Sequence, residues 1–157
     1  MEVLLSDPGQ GTPGSTAARN AQGQLDMSFN ICPRDLGFVR RVIATYMTWW
    51  HVGDHAAWRM AMAVNELLTN VLQHTEADEE GRRLTRLLVQ QVPDGVTAIV
   101  SDQDTQVPVH AVASLSGESG RGWHILRDLA DETSVTRTTT GKDIWLFIAD
   151  PPPAEQP

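Results

Sequence analysis

The chain has 157 residues, 41% of them hydrophobic and 20% charged, with a formal net charge of −8. That length gives about one domain with a core large enough to stand without disulfide staples. The net acidity argues against a general affinity for nucleic acid or anionic membrane, which both recruit a positive face, although a local basic patch stays open.

Residues 1–23 are dominated by Gly, Pro, Ser, Thr and Gln, as in SDPGQGTPGSTAARNAQGQ, and predict a disordered N-terminal tail. No basic stretch followed by an apolar one opens the chain, so no secretory signal is expected, and no run of about 18 apolar residues predicts a membrane span. LDMSFNI (25–31) alternates apolar and polar residues and reads as a strand. It meets the single cysteine, Cys32, which suits a reducing compartment; a small buried hydrophobe is its commoner role, and a nucleophile would need a nearby base.

CPRDLGFVRRVIATYMTWW (32–50) reads as a helix, with Pro33 in its first turn and Leu36, Val39, Ile43 and Met47 at helical spacing. A second helix spans 53–74, with Asp54 as N-cap and Ala57, Ala61, Val64, Leu68 and Val71/Leu72 as its apolar stripe. Arg59, Ala63, Glu66, Asn70 and His74 fall on a different face. LTRLLVQQV (84–92) and VTAIVSD (96–102) flank Pro93-Asp94-Gly95 and predict a hairpin. A polar stretch, 103–122, is long for an internal connection, and such loops are often functional lids. WHILRDLADE (123–132) predicts a third helix, and SVTRTT (134–139) with DIWLFIAD (143–150) a closing hairpin around Thr140-Gly141-Lys142. The last strand is apolar on both faces, as expected of a central strand covered by helices. Residues 151–157 predict a second tail, leaving 24–150 as the folded domain. The order β-α-α-β-β-loop-α-β-β predicts a two-layer α/β (α+β) sandwich, a mixed, mostly antiparallel sheet with three helices on one face.

Three features carry chemistry. Glu66 and Asn70, one turn apart, project from one helix face. An amide oxygen is a hard ligand suited to Mg²⁺, and a carboxylate beside it can take a proton from an attacking hydroxyl. Asp102 ends an apolar strand and, if partly buried, needs a donor such as an exocyclic amine. Gly120 and Gly122 open a helix, where a phosphate meets free N–H groups and the positive dipole end, with Arg121 adding charge. Each feature has a plainer reading. A Glu and an Asn on a helix are usually a solvated face. A strand-end Asp is usually a turn former, and a Gly-x-Gly is common punctuation. His74 reads as a surface residue or a charge at a helix C-terminus, Lys142 as a solvated turn residue, and the five tryptophans as core or interface anchors. The conjunction of the three elements, and their order, favour function.

In that order the motifs resemble those of the Bergerat-fold (GHKL) ATPases, and within them the small bacterial anti-sigma regulatory factors, or serine-protein kinases, with a histidine-kinase-like ATPase domain. NELLTNVLQH resembles the family's N-box, SDQDTQVP its first glycine box, SGRGWHILRDLAD its second, and TTTGKDIWLFI its closing hairpin. The resemblance runs over roughly residues 25–149. It implies that Glu66 is the catalytic base and Asn70 the magnesium ligand. It implies that Asp102 contacts adenine, with Pro108 in the same box as a further cofactor-binding residue, and that Gly120, Arg121 and Gly122 belong to the phosphate loop. The first box commonly has a glycine two residues after its acid; Asp104 stands there instead.

The resemblance therefore implies an ATP- and Mg²⁺-dependent kinase in the bacterial cytoplasm. It would hold a sigma factor inactive and phosphorylate a serine or threonine of an anti-anti-sigma antagonist. Family members of this kind are often homodimers. Asp104 favours the alternative, a non-catalytic module that sequesters partners with weak or no nucleotide binding.

Overall fold

The computed structural model describes residues 21–102 and 120–152. Its elements are β1 (Gly23–Asn30), α1 (Asp35–Trp49), α2 (Asp54–His74), β2 (Leu84–Val92), β3 (Gly95–Asp102), α3 (Gly120–Leu129), β4 (Glu132–Arg137) and β5 (Lys142–Ala149). The strands form one five-stranded sheet in the order β1-β2-β3-β5-β4, and every neighbouring pair is antiparallel. The two-layer sandwich expected from the sequence is present, and among the described residues the sheet carries no parallel pair.

Period-2 alternation decides which side of the sheet the helices cover. Leu25, Met27 and Phe29 of β1, Leu87 and Val89 of β2, Val96, Ala98 and Val100 of β3, and Ile144, Leu146 and Ile148 of β5 share one core with the helices. Val39, Ile43 and Met47 of α1 enter that core at i, i+4, i+8 as predicted. The second apolar face of β5 is a correction. Trp145 lies in a cross-strand row with Ile99 and, beyond it, Leu88, and Phe147 pairs Thr97, all on the side away from the helices. Cross-strand contacts, rather than a second helical layer, account for that apolarity among the described residues. Trp49 and Trp58 are exposed and are not core anchors. Trp50 is partly buried, edge-on to Tyr46 at 5.3 Å and against Gly23.

Helix boundaries shift for identifiable reasons. The 32–50 segment becomes α-helix at Asp35, after a turn in which Asp35 N–H donates to the Cys32 carbonyl and the Asp35 carboxylate accepts from Cys32 N–H at 2.9 Å and from its Sγ at 3.0 Å. The Asp35 side chain thus closes the turn that leads into α1 from both Cys32 donors. The Cys32 hydrogen bonds hold the Asp35 carboxyl below the usual carboxylate range. Asp54 is not the N-cap of α2. Gly53 precedes the helix without a side-chain cap, and its N–H goes instead to Asp150 Oδ2 at 3.0 Å. The α2 stripe is also rotated from the expected one. Its buried residues are Ala56, Met60, Ala63, Val64, Leu67, Leu68 and Val71, while Ala57, Ala61 and Leu72 flank them. Met60 and Leu67 bring more apolar area than the alanines, so the helix turns them inward. α3 starts at Gly120 and ends at Leu129, three residues earlier than predicted at each end. Asp131 N–H is captured by the Phe147 carbonyl, which begins the β4–β5 ladder. No helix among the described residues is long and apolar enough to cross a membrane.

Candidate functional site

Hydrogen bonds at the two ends of the sheet fix the direction of α2. At one end lie Gly95 and Ala149, which pair. α2 starts there, through the Gly53–Asp150 bond and through Arg59, whose Nε donates to the Leu129 carbonyl at 2.6 Å and whose Nη2 lies 3.1 Å from Asp131 Oδ2. At the other end β3 finishes at Asp102, opposite Thr85. α2 ends over that side. The Thr75 carbonyl accepts from Arg83 Nε at 2.9 Å, and Arg83 N–H donates to Asn30 Oδ1 at 2.7 Å, one residue before β2 begins. The second half of α2, with Glu66 and Asn70, therefore approaches the sheet end that carries Asp102.

α2 is the middle helix of its layer. On one flank, Asn65 Oδ1 accepts from Arg40 Nη1 of α1 at 2.7 Å. On the other, Arg59 reaches the C-terminal end of α3. Arg59, Glu66 and Asn70 are spaced by 7 and 4 residues and share one helix face, so Glu66 and Asn70 lie on the α3 side. That face is not simply solvated: Ala63 is buried, Arg59, Glu66 and Asn70 are half-buried, and only His74 at the helix end is exposed. Among the described residues, neither Glu66 nor Asn70 is held by a side-chain hydrogen bond or ion pair. α3 contacts α2 and ends beside the first turns of α2, so the two helices run in opposite directions. The first turn of α3, Gly120 to Gly122, is thereby directed toward the half of α2 that carries Glu66 and Asn70. Its first N–H groups have no intrahelical acceptor.

Asp102 is 6% exposed, and a carboxylate that buried is costly without a partner. Its position continues the Val96–Ala98–Val100 alternation, so it faces the helical layer. Lys142, directly opposite in the β3–β5 register, places Nζ 3.3 Å from Asp102 Oδ2. This corrects the solvated-turn reading of Lys142: it is the first residue of β5, with a side chain only 20% exposed. The sequence signal was its place one residue after Gly141, but only the register shows what it meets. The Arg59–Asp131 contact was missed for the same reason. Burial pushes the Asp131 carboxyl up, but the Ala149 N–H and the Arg59 guanidinium outweigh it and leave it below the usual range.

Strand register and helix direction thus put Asp102, the Glu66–Asn70 half of α2 and the start of α3 at the same end of the sandwich. Pro108 and Asp104 lie outside the described residues, as does the Arg121 side chain. Among the described residues no group of three or more His, Cys, Asp and Glu could enclose a metal ion.

No curated protein matches the chain. Among solved structures it is similar to the histidine kinase domain of the blue-light activated histidine kinase from Erythrobacter litoralis EL346, at 20% identity and a TM-score of 0.49, over 87% of this chain and 66% of that one. Residues 29–148 match the family model of the histidine kinase-like ATPase domain. The chain belongs to the histidine kinase-like ATPase domain family.

Proposed function

We propose that this protein is an ATP-binding anti-sigma regulatory factor. It sequesters a sigma factor and phosphorylates a serine or threonine of an anti-anti-sigma antagonist, so that transcription is controlled by partner switching in the bacterial cytoplasm. One observation carries the reading: a buried strand-end carboxylate, Asp102, at the sheet end toward which α2 carries Glu66 and Asn70.

The residues present fit ATP with Mg²⁺. An amide oxygen one helical turn from a carboxylate offers the hard oxygen donors that Mg²⁺ bound with ATP would take. A bound ATP·Mg²⁺ supplies the transferable phosphoryl group. Asn70 offers its amide oxygen to the metal, and Asp102 accepts from the base. The N–H groups of the Gly120–Gly122 turn, at the positive end of α3, offset phosphate charge. Glu66 accepts the proton of the incoming serine or threonine hydroxyl, so that its oxygen is nucleophilic as the phosphoryl group departs. Positioning and electrostatics supply most of the rate in such a transfer.

Glu66→Ala tests the assignment. The variant retains affinity for ATP·Mg²⁺ in a calorimetric titration and loses phosphotransfer by about 100-fold or more, as expected for a missing general base. Unchanged phosphotransfer would remove Glu66 from the mechanism. Asp104, in place of the usual glycine, favours the second reading, a non-catalytic sequestering module. Failure of the wild-type protein to bind ATP·Mg²⁺ would support it. A homodimer is part of the first reading and is checked by sedimentation.

A further inference from the structure

Asp102 and Lys142 occupy one cross-strand pair, so their side chains project to the same side of the sheet, toward the helical layer. Their charged atoms are 3.3 Å apart, and the side chains are 4% and 20% exposed. A surface pair at a hairpin mouth would be largely solvated and worth little. This one is set into the end of the core, where an ammonium keeps three donors, only one of which a carboxylate oxygen at that distance can engage. The two side chains therefore present an acceptor and a donor side by side in the region where the proposed function places the base.

We propose that Lys142 is a base-reading, specificity-determining residue of this site. Asp102 accepts from the exocyclic 6-amino group of a purine, and Lys142 Nζ donates to the adjacent ring nitrogen N1. The complementary edge, one donor beside one acceptor, is that of adenine. Guanine in the same orientation sets its 6-oxo acceptor against the carboxylate and its N1–H donor against the ammonium, and both contacts are lost. The inference rests on the nucleotide-binding reading above.

Removing N1 from the ligand separates the two. Wild-type protein is titrated with ATP and with 1-deaza-ATP, in which N1 is a C–H, at constant Mg²⁺, and the titrations are repeated on Lys142→Met. Wild type binds the deaza analogue about tenfold more weakly than ATP, the size of one lost charge-assisted hydrogen bond. Lys142→Met binds both equally, at the weaker level. Equal affinities in wild type, or a deaza penalty that persists in Lys142→Met, would overturn the proposal. If wild type binds neither nucleotide, the nucleotide-binding reading itself fails, which is a different result. Removing Lys142 leaves a buried carboxylate without its cation and can unfold the protein. The double variant Asp102→Asn/Lys142→Met, which removes both charges, is therefore measured alongside; its discrimination against 1-deaza-ATP also disappears.

Discussion

Arg59 joins three elements, and replacing it with methionine tests how the layers are held. The guanidinium, on a side chain 15% exposed, donates to the Leu129 carbonyl at 2.6 Å and lies 3.1 Å from Asp131 Oδ2, which also accepts the Ala149 N–H at 2.7 Å. Methionine keeps the apolar stem and removes the fork. The bond to Leu129, one of the last carbonyls of α3 without an intrahelical donor, is charge-assisted and contributes about 1.5–3 kcal/mol. The ion pair involves a carboxylate 42% exposed, so solvent screening limits it to about 0–1 kcal/mol. The expected loss is about 2–3 kcal/mol, which lowers Tm by roughly 4–12 °C in a domain of this size. Urea unfolding followed by circular dichroism reads it as a lower midpoint with an unchanged slope.

The pH dependence adds a second check. The Asp131 carboxyl is depressed in the folded state. Its contribution is therefore full above the unfolded carboxylate value near ~4 and is lost as the pH falls through its lower folded value. The difference between wild type and Arg59→Met narrows in acid by no more than the ion-pair share, about 1 kcal/mol, because the Leu129 bond does not titrate. A neutral-pH difference below about 0.5 kcal/mol, or one that widens in acid, would refute the reasoning.

Two further predictions concern the frame. Gly95 has no room for a side chain: an added Cβ would sit 2.8 Å from Phe147 Cε2 and closer still to the Ile148 carbonyl oxygen. Gly95→Ala therefore costs about 2–3 kcal/mol through displacement of the central β3–β5 pair. Gly81→Ala, with open space but φ of +76°, costs only about 1 kcal/mol; equal midpoint shifts in thermal melts of the two variants would contradict this distinction. Asp35→Asn weakens the turn that leads into α1 by about 1 kcal/mol at neutral pH, the size of one hydrogen bond. Because the Asp35 carboxyl is depressed, that difference disappears as the pH falls below the ordinary carboxylate range, which chemical unfolding at neutral and acid pH checks.

The elements were legible where one periodicity dominated. β2 and β3 follow their apolar runs to within a residue, and the α1 stripe is Val39, Ile43 and Met47 as read. The α2 stripe was harder, because alanines at 57 and 61 match the helical period as well as Met60 and Leu67 do; side-chain volume settles the rotation. β5 misled because an apolar cross-strand row looks, in sequence, like a strand covered on both faces. The candidate site was legible where single residues carry it: Asp102 is buried at a strand end, and Glu66 and Asn70 share a face. Its pair contacts were not. Asp102–Lys142 and Arg59–Asp131 join residues 40 or more positions apart, and only strand register and helix direction bring them together.

The central claim is that one nucleotide lies between Asp102, the Glu66–Asn70 half of α2 and the first turn of α3. Titration of isotope-labelled protein with ATP·Mg²⁺, followed residue by residue by NMR, tests it most directly. Saturating shifts with a single affinity are expected at the amides of Asp102, Gly120 and Gly122 and at the Asn70 side-chain amide. An affinity that leaves Asp102 and Asn70 unmoved, or shifts confined to the sheet face of Trp145, would contradict it.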